Sequence, residues 1–86
     1  MEHASHPAIV KRLKRAEGHL RSVIAMIEAG RSCVDLAQQL HAVESAVTNA
    51  KRELIHDHIE HCLEAPGPGD DAKAQLQDLK TLAKYL

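Results

Sequence analysis

His58 and Cys62 stand four residues apart in the segment LIHDHIEHC, and a second thiol, Cys33, lies 25 residues before the histidine. On a helix an i,i+4 pair shares one face, so an imidazole and a thiolate at that spacing can grip one ion together. Cys33 cannot join them within its own chain, because 25 residues of continuous helix extend about 37 Å. Two copies of the helix laid antiparallel about a two-fold axis remove the difficulty. Pairing residue 33 of one copy with residues 58 to 62 of the other puts the axis near residues 46 to 47. Ser45, Ala46, Val47 and Ala50 there are small enough for a close crossing. The spacing therefore predicts two equivalent Cys–His–Cys sites per dimer, each built across the interface. His61 projects near the His58/Cys62 face and is a candidate extra ligand, as are His3 and His6 in the N-terminal stretch; His56 points well away.

The element that must position these groups is the stretch 32–64, which neither Pro nor Gly interrupts. Its apolar residues, Cys33, Leu36, Leu40, Val43, Val47, Ala50 and Leu54, alternate in steps of three and four. That is the seam of a helix packed lengthwise against another helix. Ser32 with Asp35 three residues on resembles a capping box at its start. Such a helix is about 48 Å long, against about 30 Å for the diameter of a compact chain of this size. Part of the seam must then be covered by another chain.

Around it the rest reads as one all-α domain over residues 1–86. Residues 1–7 form a short polar tail, expected to be mobile. Residues 8–29 carry Ile9, Leu13, Ala16, Leu20, Val23 or Ile24, and Ile27 on one helical stripe, with Pro7 at the start and Gly30 at the end. Residues 65–71 are a loop, since two prolines and two glycines in EAPGPGDD break any helix. Residues 72–86, capped by Asp71, form a third helix with Leu76, Leu79, Leu82 or Ala83, and Leu86 on one side. The architecture is three helices (medium, long, short) in an antiparallel helical dimer.

The face of the first helix opposite its stripe is basic. Lys11, Arg12, Lys14, Arg15 and Arg21 are opposed by Glu17 alone, and Lys51 and Arg52 add a pair on the long helix near the axis. Repeated by symmetry, these cations suit nucleic-acid phosphates. No helix-turn-helix or zinc-finger spacing occurs, so DNA binding would use an all-helical surface. The lack of a Gly-rich phosphate loop and of any nucleophile with a base and orienter argues against an enzyme. A plain coiled-coil module remains as a rival; it would bind neither metal nor DNA. The single aromatic, Tyr85, and the aliphatic-rich composition suit helices packed through ridges. No apolar N-terminal run or membrane-length apolar segment occurs, which argues against secretion and membrane spanning. Two cysteines 29 residues apart in one helix cannot form an intrachain disulfide, so reduced thiols in the cytoplasm are expected.

KRLKRAEGHLR, CVDLAQQLHAV and LIHDHIEHC together resemble the CsoR/RcnR family of small helical, metal- or ligand-responsive transcriptional repressors, from about Val10 to Leu86. The spacing Cys33, His58, Cys62 is similar to the ligand set of that family's copper(I) sensors. The resemblance implies that antiparallel dimers pair into a tetramer, that the metal-free tetramer binds operator DNA, and that metal releases it so that an exporter gene is transcribed. It also implies DNA contacts at Arg12, Lys14 and Arg52, to which the basic faces add Lys11, Arg15 and Lys51 as candidates. Where copper sensors of the family often carry Tyr before the first Cys and Glu in the last helix, this chain has Ser32 and Asp78. Asp78 is the expected partner around the ligands. Two thiolates and one imidazole suit Cu(I). An added N-terminal His would suit Ni(II), Co(II) or Zn(II), and a thiol or persulfide sensor would use Cys33 and Cys62 without the histidine.

Overall fold

The computed structural model describes residues 6–64 and 67–86. Three α-helices carry them: α1 (His6–Glu28), α2 (Cys33–Glu64) and α3 (Asp70–Leu82), the last followed by one 3-10 turn, Ala83–Tyr85. There is no strand among the described residues.

Local chemistry sets the boundaries. Gly30 takes φ 76°. Arg31 N–H then donates to the Met26 carbonyl at 3.0 Å, and Gly30 N–H to the Ile27 carbonyl at 3.1 Å. This pair of bonds is the Schellman stop, which needs a left-handed residue that glycine supplies without steric penalty. Helix α2 begins at once. Ser32 Oγ accepts the Asp35 N–H at 3.2 Å, and Arg31 reaches Asp35 at 3.5 Å. The short connection folds α1 back along α2. The antiparallel sense shows in three side-chain ties, whose α2 member falls in number as the α1 member rises. These are His6 to Asp57 at 3.9 Å, Arg12 to Glu53, and His19 Nε2 to Gln39 Oε1 at 2.6 Å.

The boundaries differ from the sequence expectation at both ends of α1 (His6–Glu28, not 8–29) and of α3 (Asp70–Leu82, not 72–86, its last turn being the 3-10 turn Ala83–Tyr85), and by one residue at the start of α2. Helix α1 begins at His6, not at residue 8, and takes Pro7 into its first turn, where a missing N–H leaves nothing unsatisfied. His6, expected in a mobile tail, is therefore held on the helix. Helix α3 begins at Asp70, not at residue 72, preceded by Gly69, and no side chain caps it. Asp71 is inside the first turn, its N–H bonded to the Pro68 carbonyl at 3.1 Å. Gly67 lies so close to that turn that a Cβ would come within 2.5 Å of Asp71 Cβ, which is why this loop position tolerates no side chain.

The core is a single file: Ile9, Ala16 and Val23 from α1, and Val43, Ala50, Ile55 and Cys62 from α2. The α1 members repeat every seven residues, the period of helices packed lengthwise. A second file with the same period is uncovered. Leu13, Leu20 and Ile27 on α1 are 41 %, 43 % and 53 % exposed, and Leu40, Val47 and Leu54 on α2 are 43 %, 46 % and 43 % exposed. One neighbouring helix thus covers only half of the seam expected for the long helix. The chain is a flat bar of 58 × 24 × 14 Å with a radius of gyration of 17.6 Å. A compact chain of 86 residues has a radius near 12 Å. Its accessible surface of 6535 Å² likewise exceeds the roughly 5,000 Å² of a compact monomer of this mass. Among the described residues, no helix is long and apolar enough to cross a membrane.

Candidate metal centre and nucleic-acid surface

His58 and Cys62 fall one turn apart near the C-terminal end of α2. Cys62 is buried, and His58 is half-buried where α2, the start of α1 and α3 enclose a cavity of about 350 Å³. His6 and Asp78 line the same cavity, with Leu54, Ile55, Thr81 and Leu82 forming its apolar walls. Asp78 on α3 thus comes to the neighbourhood of His58, as does His6. His61 is half-buried beside Cys62 but does not line the cavity, and His56 opens onto a separate groove with Arg52, Glu53 and Leu86. His3 lies outside the described residues.

Cys33 is the first residue of α2 and is exposed. It stands 29 positions from Cys62, about 43 Å along the helix. Among the described residues of one chain, no three His, Cys, Asp or Glu side chains converge as a metal-binding group. The structure thus places His58 and Cys62 one turn apart near one end of α2 and Cys33 at the other. Two thiolates and one imidazole, were they brought together, would suit a soft ion.

The basic residues sit on the outer faces of the hairpin. Lys11, Arg12, Lys14 and Arg15 on α1 and Lys51 and Arg52 on α2 are all exposed. Arg21 is engaged locally with Glu17 at 3.1 Å. Arg12 and Arg15 line a cleft of about 290 Å³ between α1 and α2, together with His19, Ala46 and Asn49. In the sequence His19 reads as a helix-surface residue and Asn49 belongs to no motif. The spacing of residues 12, 15 and 19, which share one helical face, is the signal that could have grouped them.

A model of the metal-sensitive transcriptional repressor family matches residues 5–86. The chain belongs to that family. As a member of this CsoR/RcnR group, it is a metal-sensing transcriptional repressor. The copper-sensing transcriptional repressor CsoR of Mycobacterium ulcerans is 37 % identical over 78 residues, 91 % of this chain and 67 % of that protein. CsoR of Bacillus subtilis is 39 % identical over 74 residues, 83 % and 73 % of the two chains. Among solved structures, the nickel-responsive transcriptional regulator InrS superposes with a TM-score of 0.82 at 29 % identity. That match covers 100 % of this chain and 98 % of InrS. This family member thus shares its helical architecture with InrS along its whole length.

Proposed function

We propose that this repressor binds operator DNA when metal-free and releases it when Cu(I) is held between Cys33 of one protomer and His58 and Cys62 of another. Release would derepress metal efflux or resistance genes in the cytoplasm. The observation that carries the reading is the division of donors between the two ends of α2, with Cys33 too distant to meet its own His58. The uncovered file Leu13, Leu20, Ile27, Leu40, Val47 and Leu54 supports an antiparallel partner, because a second copy would bury it. Two such dimers pairing into a tetramer would repeat the basic surface for DNA.

Cys33 of one protomer and His58 and Cys62 of another would hold the ion, which when bound would link their helices. The Cys33 and Cys62 thiols must give up their protons, and the His58 ring must be neutral, so affinity falls with acidification. Asp78, beside His58 in the cavity, is suited to orient the ring through hydrogen bonding. The experiment is a competition titration of the purified protein with Cu(I), Ni(II) and Co(II), read by absorption spectra and by release of operator DNA. Copper-selective release supports the proposal; release by none of the three defeats it.

A second reading has a specific observation behind it. His6 lines the cavity with His58, and a histidine added to the Cys–His–Cys set suits Ni(II), Co(II) or Zn(II). The likeness to a protein named as nickel-responsive points the same way.

A further inference from the structure

Arg12 on α1 and Glu53 on α2, 41 positions apart in the chain, form an ion pair across the hairpin. Among the described residues, none of the other five cations assigned to DNA has an ion-pair partner: Lys11, Lys14, Arg15, Lys51 and Arg52 stand alone in this respect. The Arg12 side chain is 54 % exposed and that of Glu53 35 %, so a phosphate can approach the pair without any unfolding. Glu53 also lines the groove onto which Arg52 opens, whereas Arg12 lines the cleft shared with Arg15. A carboxylate is thus set between two arginine-lined recesses on the surface meant for a polyanion.

We propose that Glu53 sets the affinity of the DNA surface, its carboxylate holding Arg12 in an internal pair that a backbone phosphate must displace. The inference rests on the reading of Arg12 as a DNA contact. A guanidinium has several donors and can bridge two anions, but the carboxylate then lies close to the phosphate, and like charges at that range oppose binding. A cation already neutralised within the protein also releases fewer condensed counterions from DNA. The wild-type dependence of affinity on salt is therefore shallower than its basic residues alone would give. Because the effect is electrostatic, it acts on any DNA sequence and needs no knowledge of the operator.

The test is a salt titration of the metal-free full-length chain against a short mixed-sequence DNA duplex, comparing wild type, Glu53→Gln, Arg12→Ala and the double variant. Glutamine keeps the shape of the side chain, and an exposed ion pair adds little to folding, so the variants remain folded. Glu53→Gln is expected to bind about three- to fivefold more tightly, the scale of an exposed ion pair. Its log-affinity against log-salt slope should steepen by about 0.9 for each further phosphate neutralised. The gain from Glu53→Gln should be smaller in the Arg12→Ala background than in wild type, because that background has no guanidinium for the carboxylate to hold. If Arg12→Ala weakens wild-type binding while Glu53→Gln leaves it unchanged or weaker, Glu53 is no competitor and the inference falls, with the role of Arg12 on DNA intact. If Arg12→Ala changes neither affinity nor slope in either background, that role itself is refuted and the inference goes with it.

Discussion

Cys33 and Cys62 occupy opposite ends of one unbroken helix, the first exposed and the second buried. Replacing either with Ala, or His58 with Ala, is expected to abolish metal-induced release while leaving metal-free DNA binding in place. Fluorescence anisotropy of labelled operator DNA with and without Cu(I) reads both quantities. Release retained in all three variants would refute the sensor mechanism. Stability separates the two cysteines. Cys62→Ala should lower unfolding free energy by about 1 kcal/mol through lost burial, and Cys33→Ala by much less.

The uncovered apolar file yields a prediction about assembly. Leu40→Asp or Val47→Asp places a charge where a second copy would pack, yet leaves the buried file of Val43 and Ala50 untouched. If the proposed tetramer forms, sedimentation analysis should show a shift from it toward monomer, with helical content falling as the oligomer is lost. An unchanged sedimentation coefficient would mean that this face is not the interface.

The six basic residues on the outer faces carry a salt-dependence prediction. Arg52→Ala and Lys14→Ala should each weaken DNA binding and reduce the magnitude of the log-affinity against log-salt slope by about 0.9 for each phosphate no longer neutralised. A slope equal to that of wild type would remove the residue concerned from the DNA-binding surface.

His6 separates the two metal readings. His6→Ala should leave the Cu(I) response within about twofold, because the Cys–His–Cys set is intact, but should strip binding of Ni(II) or Co(II) if the second reading holds. Isothermal titration with each metal decides between them. Equal loss for all metals would instead make His6 part of a single common site.

The long helix was legible because its information is local and periodic. Its cap at Ser32, its stop-free run and the four-residue step from His58 to Cys62 are all properties of one segment, and the structure places α2 at Cys33–Glu64. The stop at Gly30 was equally plain, since only a left-handed residue forms that turn. What the sequence could not convey depends on neighbours from other helices. Periodicity marks Leu40 and Val43 alike as apolar seam residues, and only the path of α1 decides that Val43 is buried and Leu40 is not. His6 reads as tail because no local pattern announces its approach to Asp57, 51 positions away on α2. Arg12 with Glu53, and His19 with Gln39, are likewise cross-helix pairs that no local pattern announces.

Dividing the donors between the two ends of α2 has a genetic corollary. In the proposed antiparallel pair, a Cys33→Ala chain and a His58→Ala chain are each defective as homo-oligomers. A mixed dimer concentrates both lesions in one centre and leaves the other whole. Co-expression of the two defective alleles should therefore recover partial metal response, a complementation that no arrangement with all ligands on one chain can produce.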